Sequence, residues 1–138
     1  MAASTAFLGL PEVRRSLVAA AGGVFRLGQR VPITAAMEWA LTGDPYPADV
    51  ALRLGLLHAV CDPGQALAGA GELARRITSN APIAVRRSRA LLLAAGHLDD
   101  DAARAASEES LAAVTRTRDF HEPVPAFREK RPPEWTAS

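Results

Sequence analysis

Lysine is almost absent from this chain of 138 residues: of its 16 basic side chains only Lys130 is a lysine, the rest being arginine. Cysteine is as scarce. Cys61 stands alone, so no internal disulfide can form, and the expected compartment is the reducing cytoplasm. Charge of one sign is lacking too, since 16 basic and 15 acidic groups leave a net +1, without the field that gathers nucleic acid or an anionic membrane surface. The longest apolar run, Leu17 to Phe25, is less than half the roughly 20 residues of a membrane span. No basic residue precedes the apolar stretch of Met1–Leu10, which argues against a secretory signal. His58, His97 and His121 lie far apart, none at ligand spacing from Cys61, so no metal site is expected. The Arg86-Arg87-Ser88-Arg89 cluster has no interleaved aromatics and reads as a solvated helix face rather than an RNA surface.

What is present is a helix-rich pattern. Leu10 precedes a proline and is pushed toward extended backbone, which places Glu12 on a loop. A helix is expected over Ala19–Leu27 with the Gly22-Gly23 pair near its start, then a short one over Ala35–Leu41 capped by Thr34 and stopped at Gly43. Asp44-Pro45-Tyr46-Pro47 reads as a stiff turn, Ala48–Leu54 as a helix closed by Gly55, and Leu56–Cys61 as a short strand. Beyond Gly64, Leu67, Ala70, Leu73, Ala74 and Ile77 recur at helical spacing. Ile83–Ala95 and Asp99 to about Arg118 give two more helices, the latter with an acidic first turn suited to the helix dipole. Val124–Arg131 adds one or two turns before Pro132-Pro133.

Glu12 is the one candidate for acid–base chemistry. It is a lone carboxylate between Leu8-Gly9-Leu10-Pro11 and Val13, and apolar surroundings are what a carboxyl group needs to exchange protons near neutrality. Leu10-Pro11-Glu12-Val13-Arg14-Arg15-Ser16-Leu17, Ala20-Ala21-Gly22-Gly23 and Arg26-Leu27 resemble, in order and spacing, the middle of enoyl-CoA hydratases of the crotonase superfamily. The later segments Met37-Glu38-Trp39-Ala40-Leu41-Thr42-Gly43-Asp44-Pro45, Ala51-Leu52-Arg53-Leu54-Gly55-Leu56, Asn80-Ala81-Pro82 and Ala126 to Trp135 are similar to that family's second half.

The resemblance implies an α/β, mostly helical fragment, the C-terminal part of a crotonase-type ββα spiral. Residues 1–63 would close the core, and 64–138 would form a helical trimerisation region. It implies a hydratase or isomerase acting on acyl-CoA thioesters, adding water to a 2-enoyl-CoA, with acyl-CoA as substrate and no separate cofactor. Glu12 would be one of two catalytic glutamates, Phe127 would flank the adenine of CoA, and Lys130 would meet a CoA phosphate. The expected partners are acyl-CoA and further copies of the chain, as a trimer or dimer of trimers, with no nucleic acid and no membrane. The family's first half, with its other glutamate and both oxyanion-hole donors, has no counterpart here, so the expectation is half an enzyme, inactive alone. Pro123, where the family usually has glycine, is a departure. The alternative is a non-catalytic family remnant or oligomerisation module.

Overall fold

Short pairings between distant residues, rather than long strands, set the path of the first residues. The computed structural model describes residues 1–138 and divides them into two compact units, Met1–Glu72 and Leu73–Ser138. In the first, strand β1 (Ala2–Ala3) pairs in parallel with β4 (Val60–Cys61), Ala2 opposite Val60. Strand β2 (Phe7–Leu8) runs antiparallel to β3 (Tyr46–Pro47), Leu8 opposite Tyr46. The stiff turn expected at Asp44–Pro47 thus ends as an edge strand, a position that proline tolerates. The expected strand Leu56–Cys61 shrinks to its last two residues, because the N–H groups of Leu56 and Leu57 turn back to the carbonyl of Ala51, at 2.9 and 3.3 Å.

A 3-10 turn over Pro11–Arg15 leads toward helix α1 (Gly23–Arg30). The helix starts later than Ala19. Ala21 and Gly22 carry φ of 54° and 100°, so the glycine pair makes the entry to the helix and does not lie inside it. A Cβ on Gly23 would come within 3.1 Å of Ala19 Cβ and 3.3 Å of Leu10 Cδ2, which makes this a close approach that only glycine fits. Helix α2 (Ile33–Thr42) begins two residues before Ala35, entered from Pro32 at ψ 138°, and the Thr34 hydroxyl caps nothing. Gly43, at φ 67°, closes α2 as expected, and Gly55, at φ 78°, follows helix α3 (Ala48–Arg53). Trp39 lies at the centre of the unit, 2% exposed, packed with Leu27, Val31, Ala36 and Ala51. Its ring meets that of Tyr46 at 4.5 Å between centroids.

Helix α4 (Ala66–Thr78) carries the passage to the second unit, where α5 (Pro82–Ala94) packs on α6 (Asp100–Thr115). Asp99 caps α6, its carboxylate accepting the Ala102 N–H at 2.8 Å. The α6 pattern stops short of Arg118 because Thr117 adopts extended backbone and caps a further turn, α7 (Arg118–His121). Helix α8 (Pro123–Glu129) follows and ends at Lys130, whose φ of 54° reverses the chain. The residues after it are held by two carboxylates. Asp119, 4% exposed, accepts from Thr136 N at 2.7 Å, Thr136 Oγ1 at 3.0 Å and Ala137 N at 3.1 Å. Glu122 pairs with Arg131 and accepts the Glu134 N–H at 2.8 Å. The Trp135 indole N–H donates to the Ser79 carbonyl at 2.8 Å.

Two outcomes follow from this packing. Trp39→Ala should cost about 3–5 kcal/mol in chemical denaturation, as for other buried aromatics. Trp39→Phe should cost less than about half as much, because it loses no hydrogen bond: Trp39 Nε1 has no partner.

The tail should be acid-sensitive. The Thr136 N–H chiefly holds the Asp119 carboxyl below its ordinary 3.8, and the Arg131 guanidinium chiefly holds Glu122 below 4.5. Because both native values are lowered, their contribution is complete above the ordinary values and is lost as pH falls through the lowered ones. Amide-exchange protection of Thr136 and Ala137 should therefore be level between about pH 7 and 5 and decline below about pH 4. In Asp119→Asn it should already be reduced about tenfold at neutral pH.

Candidate active site

Glu12 lies within the 3-10 turn rather than on an irregular loop, because Pro11 presets the first turn and the Leu17 N–H closes on the Glu12 carbonyl at 3.1 Å. Ser16, at φ 58°, ends the turn with its N–H toward the Val13 carbonyl. The turn is fastened to the end of α2. Arg14 Nε donates to the Thr42 carbonyl at 3.2 Å, and the same guanidinium pairs with Asp44. Gly43 lets the two segments approach, since a Cβ there would stand 3.1 Å from Arg14 Cγ and 3.2 Å from Val13 Cγ2. Residues from Leu10 to Asp44 therefore fix the backbone that carries Glu12.

The Glu12 side chain is half-buried, and its Oε2 is buried without a hydrogen-bond partner. A buried acceptor with no donor is unfavourable relative to a bonded one, so it gains when a water or a substrate hydrogen reaches it. Nearby, a cavity of about 570 Å³ is lined by Leu8, Gly9 and Leu10, by Ala21, Gly22 and Gly23 at the entry to α1, by Arg26, Leu27 and Arg30 along that helix, and by Trp39, Gly55 and Leu56. Glu12 does not line it. Leu10 belongs to the lining and lies one residue before the turn. Burial, and then a hydrogen bond with Glu38, push the hydroxyl of Tyr46, stacked on Trp39, above its usual value.

Phe127 and Lys130 belong to the second unit. They sit together at the end of α8, the Lys130 N–H meeting the Phe127 carbonyl at 3.3 Å, and Phe127 is 85% exposed. Glu12 lies in the first unit. Cys61 is half-buried and its thiol donates to the Ala2 carbonyl at 3.4 Å, a structural contact beside the β1–β4 pair. Sequence reasoning passed over Arg26 and Arg30, the only charged groups on the cavity wall. Their spacing of four, which places both on one face of α1, was the available signal. No helix is long and apolar enough to cross a membrane.

Residues 1–138 match the enoyl-CoA hydratase/isomerase family. The short-chain-enoyl-CoA hydratase of Clostridium acetobutylicum is 35% identical over 131 residues, which are 95% of this chain and 50% of that protein. Crotonyl-CoA hydratase of Syntrophomonas wolfei is 34% identical over 131 residues, with the same coverage. Among solved structures, an enoyl-CoA hydratase from Mycobacterium tuberculosis H37Rv superimposes with a TM-score of 0.93 at 40% identity, over 99% of this chain and 54% of that one. These matches cover the 3-10 turn, α1 and the C-terminal helices alike, and the mostly helical α/β architecture is that of a crotonase C-terminal half. The chain spans about half the length of the curated relatives it matches, and it belongs to the enoyl-CoA hydratase/isomerase family of the crotonase superfamily.

Proposed function

We propose that this chain supplies one acid–base carboxylate, Glu12, to the addition of water across the double bond of a 2-enoyl-CoA thioester. The observation that carries the reading is the buried, unpartnered Oε2 of Glu12 on a turn fastened to the end of α2. In the reaction a water O–H bond breaks, the oxygen bonds to the β carbon, and a proton reaches the α carbon. A carboxylate with a free lone pair can take the water proton or deliver the one required at carbon. Phe127, held outward at the end of α8, suits stacking on adenine, and Lys130 suits a phosphate as a compact cation.

Acyl-CoA is the substrate in this reading, with no separate cofactor, in the cytoplasm and in the fatty-acid β-oxidation class of reactions. Assembly into a homo-oligomer, a trimer or dimer of trimers, belongs to the same proposal. It is supported by Leu92 and Leu111, large apolar side chains left exposed on α5 and α6. The 138 residues alone are proposed to be inactive, since loss of a single oxyanion donor commonly costs ~10²–10³ in rate. The competing reading, a family member that assembles but does not catalyse, draws on the chain spanning about half its relatives.

Joining this chain to the N-terminal half of a relative such as the Clostridium acetobutylicum hydratase gives the enzyme in which both readings are tested with crotonyl-CoA. Glu12→Gln keeps shape and hydrogen bonding and should lower kcat by at least about 10²-fold with little change in acyl-CoA binding. Turnover above about half of the unsubstituted fusion would make Glu12 structural and favour the non-catalytic reading.

Lys130→Ala in the same fusion should raise KM for crotonyl-CoA by about 10-fold or more, the loss of one charge-assisted contact. It should leave KM for crotonyl-pantetheine unchanged. Steady-state kinetics on the two thioesters checks it.

A further inference from the structure

The cavity against α1 joins two kinds of surface that belong to one kind of ligand. Leu8, Leu10, Leu27 and Leu56 give it an apolar wall, while Arg26 and Arg30, one turn apart on α1, give it two guanidinium groups. No acidic side chain lines it. Neither arginine is paired with a carboxylate: Asp44 is taken by Arg14 and Asp49 by Arg53, and Arg26 lies over the Phe25 ring at 5.6 Å. At about 570 Å³ the cavity has the size of a small-molecule site. The Arg26 side chain lies close over Gly22, where a Cβ would stand 3.0 Å from its guanidinium, so the missing side chain there makes room for the arginine on the cavity wall.

We propose that this cavity is a binding site for an aliphatic carboxylate, its hydrocarbon body against the leucines and its carboxylate between Arg26 and Arg30. A planar carboxylate matches the two-pronged donor face of a guanidinium. The hydrocarbon gains from leaving water along a wall that a fully hydrated inorganic anion would not use. This goes beyond the hydratase reading and stands without it, since Glu12 takes no part. The carboxylate has two possible sources, a free fatty acid or the far end of an acyl thioester that carries a second acid group.

The test uses the full 138-residue chain, labelled with nitrogen-15, and the indole N–H resonances of its two tryptophans. Trp39 lines the cavity and reports on it, and Trp135, bonded to Ser79, serves as the internal reference. Hexanoate should move the Trp39 signal saturably and leave Trp135 in place, while hexanamide, the same shape without charge, should bind at least about tenfold more weakly. Arg26→Gln with Arg30→Gln should abolish the preference for hexanoate, and Arg26→Lys with Arg30→Lys should retain part of it, provided both variants keep the parent spectrum. Adipate and adipoyl-CoA then separate the sources: tighter binding of the thioester assigns the site to a dicarboxylic acyl group, and equal binding assigns it to the free acid. No shift of Trp39 with hexanoate, or equal affinities for hexanoate and hexanamide, overturns the proposal. Glu12→Gln kinetics are independent of this outcome, so either reading can fail alone.

Discussion

A single indole seated among small side chains organises the first unit. Trp39 reaches near-complete burial because Ala36 and Ala51 are small enough to let the helices close upon it, and Ala48 and Ala51 are themselves fully inaccessible. Tyr46 covers one face of the ring from the short β2–β3 pair, so the strand that carries Tyr46 and the helix that carries Trp39 are set by one contact. From that helix the chain passes to Gly43, and Gly43 receives the turn that holds Glu12. The position of the candidate carboxylate is thus inherited from a packing decision in the core. In a unit whose remaining core is mostly alanine and leucine, no second side chain of that size is available to take over the role.

How much of this was legible depended on distance along the chain. The helices α4, α5 and α6 follow from local spacing and from end signals such as Asp99 and Pro82, and they fall where those signals place them within a few residues. The strands do not. Each spans two residues, and Ala2 or Leu8 carries no local mark that Val60 or Tyr46 will lie opposite, because only the folded chain brings them together. Gly22-Gly23 was visible as an anomaly, and its cause was not: the constraint comes from Ala19 and Leu10 side chains pressing on Gly23 and from positive φ at Ala21 and Gly22.

The site divides in the same way. That Glu12 is a carboxylate in apolar company could be read from its neighbours. That one of its oxygens lacks a partner is a property of the three-dimensional packing and has no counterpart in spacing. In the second unit Asp119 and Glu122 were legible only as an acidic pair. Their task, gathering the N–H groups of Glu134, Thr136 and Ala137, depends on a tail that returns over α7 after the reversal at Lys130. The residue expected to meet a phosphate is therefore also the hinge of that reversal, and its backbone conformation is one for which glycine or asparagine would be the easier choice.

The parallel pairing of β1 with β4 has a consequence for how the chain is made. A ribosome adding about 5–20 residues per second delivers Val60 roughly 3 to 12 s after Ala2. Until Val60 is made, Ala2 and Ala3 lack the strand they pair with, a condition in which a longer strand would invite pairing with other nascent chains. A pairing of only two alanines offers little to hold such a wrong partner.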